Sequence, residues 1–234
     1  MKCLVFDIWG EFGQFRKFYT TSSPLTFSFP PRTAIAGMLA AIVGIDKDEY
    51  LKYFCKADAH IALRILKPVK KCRVSYNLID TKTAKIMSKI QNRTQVTSEL
   101  LKDCAYRIYL SHENVELYNK IKDSLTAHKC YYTLCLGLSE FLANFGFEYE
   151  GNLSKAEVEE VNLVDSVLPL KEDVTKVEFE LGKEYFKDIV PNEMNEDREV
   201  IEYAKVIYER NCKPIKCIAK GIYNTSEGEK IVFL

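Results

Sequence analysis

Two rhythms of apolar residues run along this chain. Leu4 to Trp9 is a short, mostly apolar run carrying one Asp7, and it reads as a strand. Gly10 and Gly13 then loosen the backbone. A loop rich in cations, aromatics and hydroxyls follows from Phe15. It closes at Pro30 and Pro31, which block helix entry until Arg32. Thr33 has the chemistry of an N-cap. Beyond it Ile35, Met38, Leu39 and Ile42 fall on one helical face, while Ala36, Gly37, Ala40, Ala41 and Gly44 keep the rest of the helix thin. A backbone or a ligand can approach such a surface closely.

The same reading carries on to about residue 150. Asp46 to Phe54 predicts a short helix or turn, and Ala59 to Val69 a second strand of strong β formers. CRVSYNLID, from Cys72, alternates as a strand. After it Lys82, Lys85 and Lys89 are spaced at three and four, where like charges destabilise an isolated helix, so a protruding hairpin or mobile loop is expected. Tyr106 to Leu110 predicts a third strand. Ser111 is the expected cap of the next helix, with Glu113 in its first turn and a stripe of Leu117, Tyr118, Ile121 and Leu125. Cys130 to Leu138 leads toward a further strand near Glu140 to Glu148. The order strand, helix, strand, insertion, strand, helix, strand is that of the ferredoxin-like split βαβ unit. The expected fold is therefore α+β. A ferredoxin-like domain spans 1–150, with a protruding basic insertion at about 70–100, and a smaller β-rich part spans 151–234.

In that second part the strand candidates are Glu160 to Leu168, Lys176 to Leu181, Glu202 to Glu209, Ile215 to Tyr223 and Lys230 to Leu234. Glu193 to Asn211 also fits helical spacing, but Pro214 and a further β run close behind favour a strand near Val206 and Tyr208.

Charge adds a distribution rather than a total. The 33 Lys and Arg balance the 33 Asp and Glu. Arg64 to Arg93 carries Arg64, Lys67, Lys70, Lys71, Arg73, Lys82, Lys85, Lys89 and Arg93 against Asp80 alone, whereas acids dominate from Glu148 onward. That asymmetry suggests an anion-binding face and a separate face for a protein partner or solvent. The eight cysteines form no CxxC pair, and no histidine cluster completes a zinc pattern, so buried free thiols are expected and no metal or cofactor. The longest apolar run, Ala34 to Ile45, is too short to span a bilayer, and no secretory series opens the chain. A cytoplasmic protein is the expectation.

Chemistry enters as recognition. No Walker loop, GxGxxG after a strand, HExxH or GxSxG occurs. His60, His112, Tyr19 and several lysines are the types an acid–base ribonuclease uses, but no spacing ties them together. Arg16 and Lys17 stand between Phe15, Phe18 and Tyr19, an interleaving suited to phosphates and stacked bases of single-stranded nucleic acid. Arg32 opens a helix whose N-terminus already favours anions. A basic aromatic loop, a helix N-terminus and a basic insertion together suit a polyanion such as RNA. The rival readings are a metal-independent endoribonuclease and a ferredoxin-like protein-interaction domain without RNA.

The series FDIWGEFGQFRKFYTTSSPLTFSFPPRTAIAGMLAAIVGI resembles the opening of the CRISPR-associated Cas-five family, within the repeat-associated mysterious protein (RAMP) superfamily. Asn92-Arg93-Thr94-Gln95 before YRIYL, and LGLSEF from Leu136 to Phe141, resemble it too, in detail most like the type I-B form. The resemblance implies an antiviral role in the Cascade surveillance complex. It implies binding of the 5′ handle of the CRISPR RNA, capping of the filament, and contact with the backbone filament subunit and the large subunit. It places a thumb hairpin at Lys70 to Arg93. Arg16, Lys17 and Arg32 are then expected on handle phosphates. Lys70, Lys71, Arg73, Lys85 and Lys89 belong to the basic thumb, and Arg93 and Gln95 lie at its base. The type I-C branch cleaves RNA with a tyrosine after the first helix and a lysine–histidine pair. Here that segment has Val43 and Gly44, and His128-Lys129 has the reverse order, so binding without catalysis is expected. If Arg16 meets a phosphate, Arg16→Ala lowers the salt slope of RNA binding by about 0.7. An unchanged slope with a lower melting temperature makes Arg16 structural instead.

Overall fold

The computed structural model describes residues 1–79, 93–157, 161–170 and 174–234. Its first part runs β1 (Lys2–Gly13), α1 (Arg32–Val43), α2 (Tyr50–Tyr53), β2 (Ala59–Ile65), β3 (Lys70–Ile79), β4 (Arg93–His112), α3 (Val115–Thr126) and β5 (Asn144–Asn152). The sheet order is β2-β4-β1-β5, every neighbouring pair antiparallel. Strand alternation sends Leu4, Phe6, Ile8, Ile61, Leu63, Ile108 and Leu110 into one core with α1 and α3. It sends Cys3, Val5, Ala62 and Tyr109 to the opposite face, where Leu153 and Ile231 cover them. Burial of both faces is why these strands read as nearly continuous apolar runs. Of the expected buried thiols, Cys3 and Cys104 are buried and Cys135 is half-buried; all eight cysteines are free.

The long strand β4 does two jobs. Its second half lies in the sheet, and its first half pairs with β3 from Lys70↔Lys102 to Ile79↔Arg93. The result is a two-stranded ribbon whose side chains are largely exposed. Lys82, Lys85 and Lys89 lie outside the described residues.

Several local expectations give way to tertiary pairing. Thr33 does not cap α1. The N-cap is Pro31, whose carbonyl accepts from Ala34 and Ile35 N–H, so the helix has started before Thr33 is reached. Ser111 does not cap α3 either. β4 continues to His112, holding Ser111 opposite His60, and Asn114 caps instead by accepting from Leu117 N–H at 3.0 Å. The expected stripe of Leu117, Tyr118, Ile121 and Leu125 is buried. Cys130 to Leu138 is a loop that leads to β5, which begins at Asn144 within the strand expected near Glu140 to Glu148. Tyr131 and Tyr132 N–H groups bond the Ile42 and Ala41 carbonyls at the end of α1, which takes the backbone away from any sheet. Gly44 closes that helix in the left-handed region at φ 76, and a Cβ there would meet the Tyr131 ring at 2.6 Å.

The second part is all β: β6 (Ser154–Lys155), β7 (Asn162–Val164), β8 (Leu168–Pro169), β9 (Val174–Glu178), β10 (Tyr185–Met194), β11 (Val200–Glu209), β12 (Ile215–Ala219), β13 (Ile222–Asn224) and β14 (Lys230–Val232). β11 settles the helix-or-strand ambiguity of 193–211 as strand. β10 has no counterpart in the sequence reading, and Pro191 lies within it. The proline is tolerated where it pairs with Tyr203 on an edge strand, just before a register shift. The run expected as one strand from Ile215 to Tyr223 is two, turned at Gly221 with φ 73.

The acidic half is not a separate surface throughout. Arg107 makes a bidentate pair with Asp7 at 2.8 and 3.0 Å and also reaches Glu148 and Glu229. Arg64 pairs with Glu229 and, at 3.4 Å, with Asp165. These pairs join the sheet's outer face to the turn before β14 and to the β7–β8 connection. Removing one partner of a pair this sheltered leaves a poorly solvated charge.

His112 is buried, with Nε2 on the Tyr53 carbonyl at 2.8 Å and Nδ1 accepting from Asn114 N–H at 3.0 Å. Burial lowers its pKa below the ordinary 6.5. The unfolded chain then binds this proton more readily, so stability falls as pH drops through 6.5. Urea midpoints at pH 7 and pH 5 check this: His112→Asn is expected to flatten the pH dependence relative to the parent chain.

Candidate nucleic-acid interface

A cleft of about 660 Å³ opens along the thin face of α1. Thr33, Ala34, Gly37 and Ala41 form its floor. Gly37 has no atom within 4 Å of where a Cβ would stand, so the floor is open there. Phe15, Arg16 and Phe27 make one bank, and the loop from Thr133 to Leu138 another. Pro191, Met194 and Arg198 close it from the β10–β11 hairpin. A second recess of about 460 Å³ shares Gly37, Ala41, Tyr50 and Arg198 with the first and extends past Asp46, Lys47 and Tyr132.

Backbone crossings hold the cleft's shape. Gln14 N–H donates to the Leu136 carbonyl at 2.9 Å, and Phe27 N–H to the Phe15 carbonyl at 2.8 Å. Gly137 is required where these segments cross. Its φ is 93, and a Cβ would sit 1.8 Å from the Gln14 carbonyl oxygen.

The expected contact residues divide sharply. Arg32 is 2% exposed. Its guanidinium donates to the carbonyls of Ala59 at 2.7 Å, Phe54 at 3.1 Å and Asn192 at 3.3 Å, and burial lowers its pKa. It is a tie inside the fold, not a phosphate contact. Lys17 bonds Asp188 at 2.7 Å, both side chains well covered, and its ammonium sits over the Phe27 ring at 5.2 Å. Burial pulls its pKa down, but Asp188 and Tyr19 outweigh that and hold it above the ordinary value. Lys17 therefore ties the loop to β10. Arg16 stays exposed at the cleft: Nε and Nη2 hold the Thr20 and Thr21 carbonyls, and Nη1 has no partner among the described residues.

On the ribbon, register places Lys71, Arg73, Gln95 and Arg93 on one face with Ser75 and Thr97. Lys71 bonds Glu99 at 2.9 Å and the Thr26 carbonyl at 2.8 Å, joining that face to the loop that forms the cleft bank. Arg73, Arg93 and Gln95 are exposed and have no side-chain partner among the described residues. Lys70 turns to the other face, 3.4 Å from Asp103. Lys85 and Lys89 fall outside the described residues.

Arg198, Lys47 and Tyr132 line the site without any sequence signal for them. Arg198 sits in the acidic run NEDREV, with φ 64, in a turn held by Arg198 N–H on the Asn195 carbonyl at 2.9 Å. Neither Arg198 nor Lys47 has an ion-pair partner among the described residues. Only the return of the β10–β11 hairpin brings Arg198 opposite α1.

The ribonuclease parts are not assembled in the cleft. His60 lies 3.5 Å from Glu113, His112 is satisfied as described, and His128 stacks on Phe145 at 4.7 Å. None of them, nor Tyr19, lines the cleft. Tyr132 donates to Asp46 at 2.9 Å, and that bond raises the phenol's pKa above its ordinary value. Among the described residues no group of His, Cys, Asp and Glu is arranged to hold a metal, and no helix is long and apolar enough to cross a membrane.

Comparison with known proteins places this architecture. The family described as "CRISPR-associated protein (Cas_Cas5)" matches residues 3–199, so the chain belongs to the CRISPR-associated Cas-five family. The chain is similar in fold to a CRISPR protein from Archaeoglobus fulgidus, at 14% identity and TM-score 0.59, covering 99% of this chain and 98% of that one. It is similar to a chain of a CRISPR RNA-guided surveillance complex, at 12% identity and TM-score 0.54, covering 91% of each. A chain of a Type III-B Cmr-beta assembly bound to cognate target RNA matches at 12% identity and TM-score 0.53, over 92% of this chain and 86% of that one. No curated protein matches the sequence.

Gly137→Ala is expected to destabilise the protein by about 1–3 kcal/mol, from a left-handed backbone and a displaced Gln14 crossing. Chemical denaturation measures it. A fall of this size with an unchanged far-ultraviolet circular dichroism spectrum is the predicted result.

Proposed function

We propose that this protein is a non-catalytic subunit of a type I CRISPR Cascade complex that holds the 5′ handle of the CRISPR RNA and caps the filament. The observation that carries the proposal is the continuity of two surfaces. One is the open cleft over α1, edged by Arg16 and Arg198. The other is the ribbon face with Arg73, Arg93 and Gln95, joined to the cleft through Lys71 and Thr26. Exposed cations without an ion-pair partner among the described residues, beside an open, thin floor, suit a sugar–phosphate chain.

Family membership supports this reading, as does the likeness to chains of RNA-guided complexes. The strand order β2-β4-β1-β5, with crossovers through α1 and α3, supports a ferredoxin-like first domain over 1–150 and a β-rich part over 151–234. The β3–β4 ribbon supports the thumb. The implied partners are the CRISPR RNA, the backbone filament subunit and the large subunit, in the cytoplasm. The cleavage reading finds less support, since no histidine lines the cleft and Tyr132 is tied to Asp46.

Purified protein incubated with repeat RNA in EDTA at low salt tests the proposal. The RNA is expected to be retained and intact. Arg198→Glu and Arg73→Glu should each weaken binding at least tenfold, and Arg198→Ala should lower the salt slope by about 0.7, with unchanged melting temperatures. Clean cleavage at one site overturns the non-catalytic reading, and absence of any RNA affinity supports a protein-interaction domain instead.

A further inference from the structure

The second recess has features that a backbone-holding groove does not need. Its floor is the small-residue face of Gly37, Ala40 and Ala41, which carries no side chain larger than a methyl group. Tyr132, less than half exposed, stands over one side; its ring meets Tyr131 edge-on at 4.8 Å, and its backbone is bonded to the end of α1. Its hydroxyl is pinned to Asp46 Oδ1 at 2.9 Å. The Asp46 carbonyl accepts from Glu49 and Tyr50 N–H at 3.1 Å each, so the residue is held at the rim by its backbone. Asp46 Oδ2 has no partner among the described residues. Lys47 and Arg198 flank the recess with cations that have no ion-pair partner among the described residues.

We propose that this recess takes one nucleobase of the bound RNA, lying on Gly37, Ala40 and Ala41 beside Tyr132, with its polar edge against the Asp46 carboxylate. The inference rests on the reading that the cleft holds RNA. A carboxylate only accepts hydrogen bonds, and its two oxygens offer about four lone-pair positions, one of them used by Tyr132. Guanine presents two adjacent N–H donors, N1–H and the 2-amino group, and matches the carboxylate bidentately. Adenine and cytosine present one amino group each. Uracil flanks its single N–H with two carbonyl oxygens that a carboxylate repels. The recess is therefore a guanine-preferring subsite. Single-stranded RNA is commonly read this way, by stacking a splayed base and bonding its Watson–Crick edge. Arg198 and Lys47 take the phosphates on either side.

Fluorescence anisotropy with short oligouridines, each carrying one guanosine at a different position, tests the subsite. The parent protein is expected to bind the best-placed guanosine probe about tenfold more tightly than plain oligouridine. Asp46→Asn should bring that preference to within about twofold, with oligouridine binding as tight as in the parent or tighter because the carboxylate's repulsion of the uracil carbonyls is gone. Tyr132→Phe, which keeps the ring and releases the carboxylate, should retain the preference. Equal binding of every probe by the parent protein overturns the subsite and leaves the RNA reading standing, as does a preference that survives Asp46→Asn. Binding of no probe at all overturns both.

Discussion

The buried guanidinium of Arg32 is the constraint on which the site depends. Its donors reach the end of α2, the start of β2 and the end of β10. Withdrawing an arginine from water is costly unless its donors are satisfied. Three backbone carbonyls from three separate segments accept from its two terminal nitrogens, which draws those segments together, while the buried Nε has no partner among the described residues. The N-terminus of α1, and with it the cleft floor, is set against β10 by this one side chain. Lys17 and Asp188 make a second tie to β10, from the loop that precedes α1.

Within that frame the cleft is shaped by what is missing as much as by what is present. Gly37 and the alanines of α1 leave room, whereas Gly44 and Gly137 let neighbouring backbone come close. The loop from Tyr131 to Leu138 bonds the carbonyl end of α1 and crosses β1 at Gln14. It becomes a cleft wall because its hydrogen bonds go to a helix end and a strand end rather than to a sheet.

Internal pairing sorts the charges of a chain with no net charge. Many acids of the second half are turned inward: Asp165 and Glu229 onto Arg64, Glu229 onto Arg107, Asp188 onto Lys17. Of the cations without ion-pair partners among the described residues, Arg198 and Lys47 lie beside the cleft and Arg73 and Arg93 on one ribbon face. Such a surface carries a local positive field although the molecule is neutral, because electrostatic attraction is local on the scale of the screening length.

The sequence by itself determined the elements that depend on near neighbours. Period-two and period-3.6 patterns located β1, α1, β2, β3 and α3. The stripe from Leu117 to Leu125 was legible, and the series from Phe6 to Ile45 carried the family resemblance. Caps and charge partners were not legible, because they are chosen by contacts far away in the chain. Asn114 displaces Ser111 because β4 runs two residues further along β2. Pro191 sits in a strand because that strand is an edge. Arg32 looks like an anion contact until residues 22, 27 and 160 positions away supply its acceptors. Arg198, in an acidic run, looks like solvated surface until a hairpin carries it across from α1. Tertiary structure alone decided which cations were already neutralised within the fold and which remained for a ligand. A charge is free or satisfied only by reference to what folding brings within a few ångströms of it.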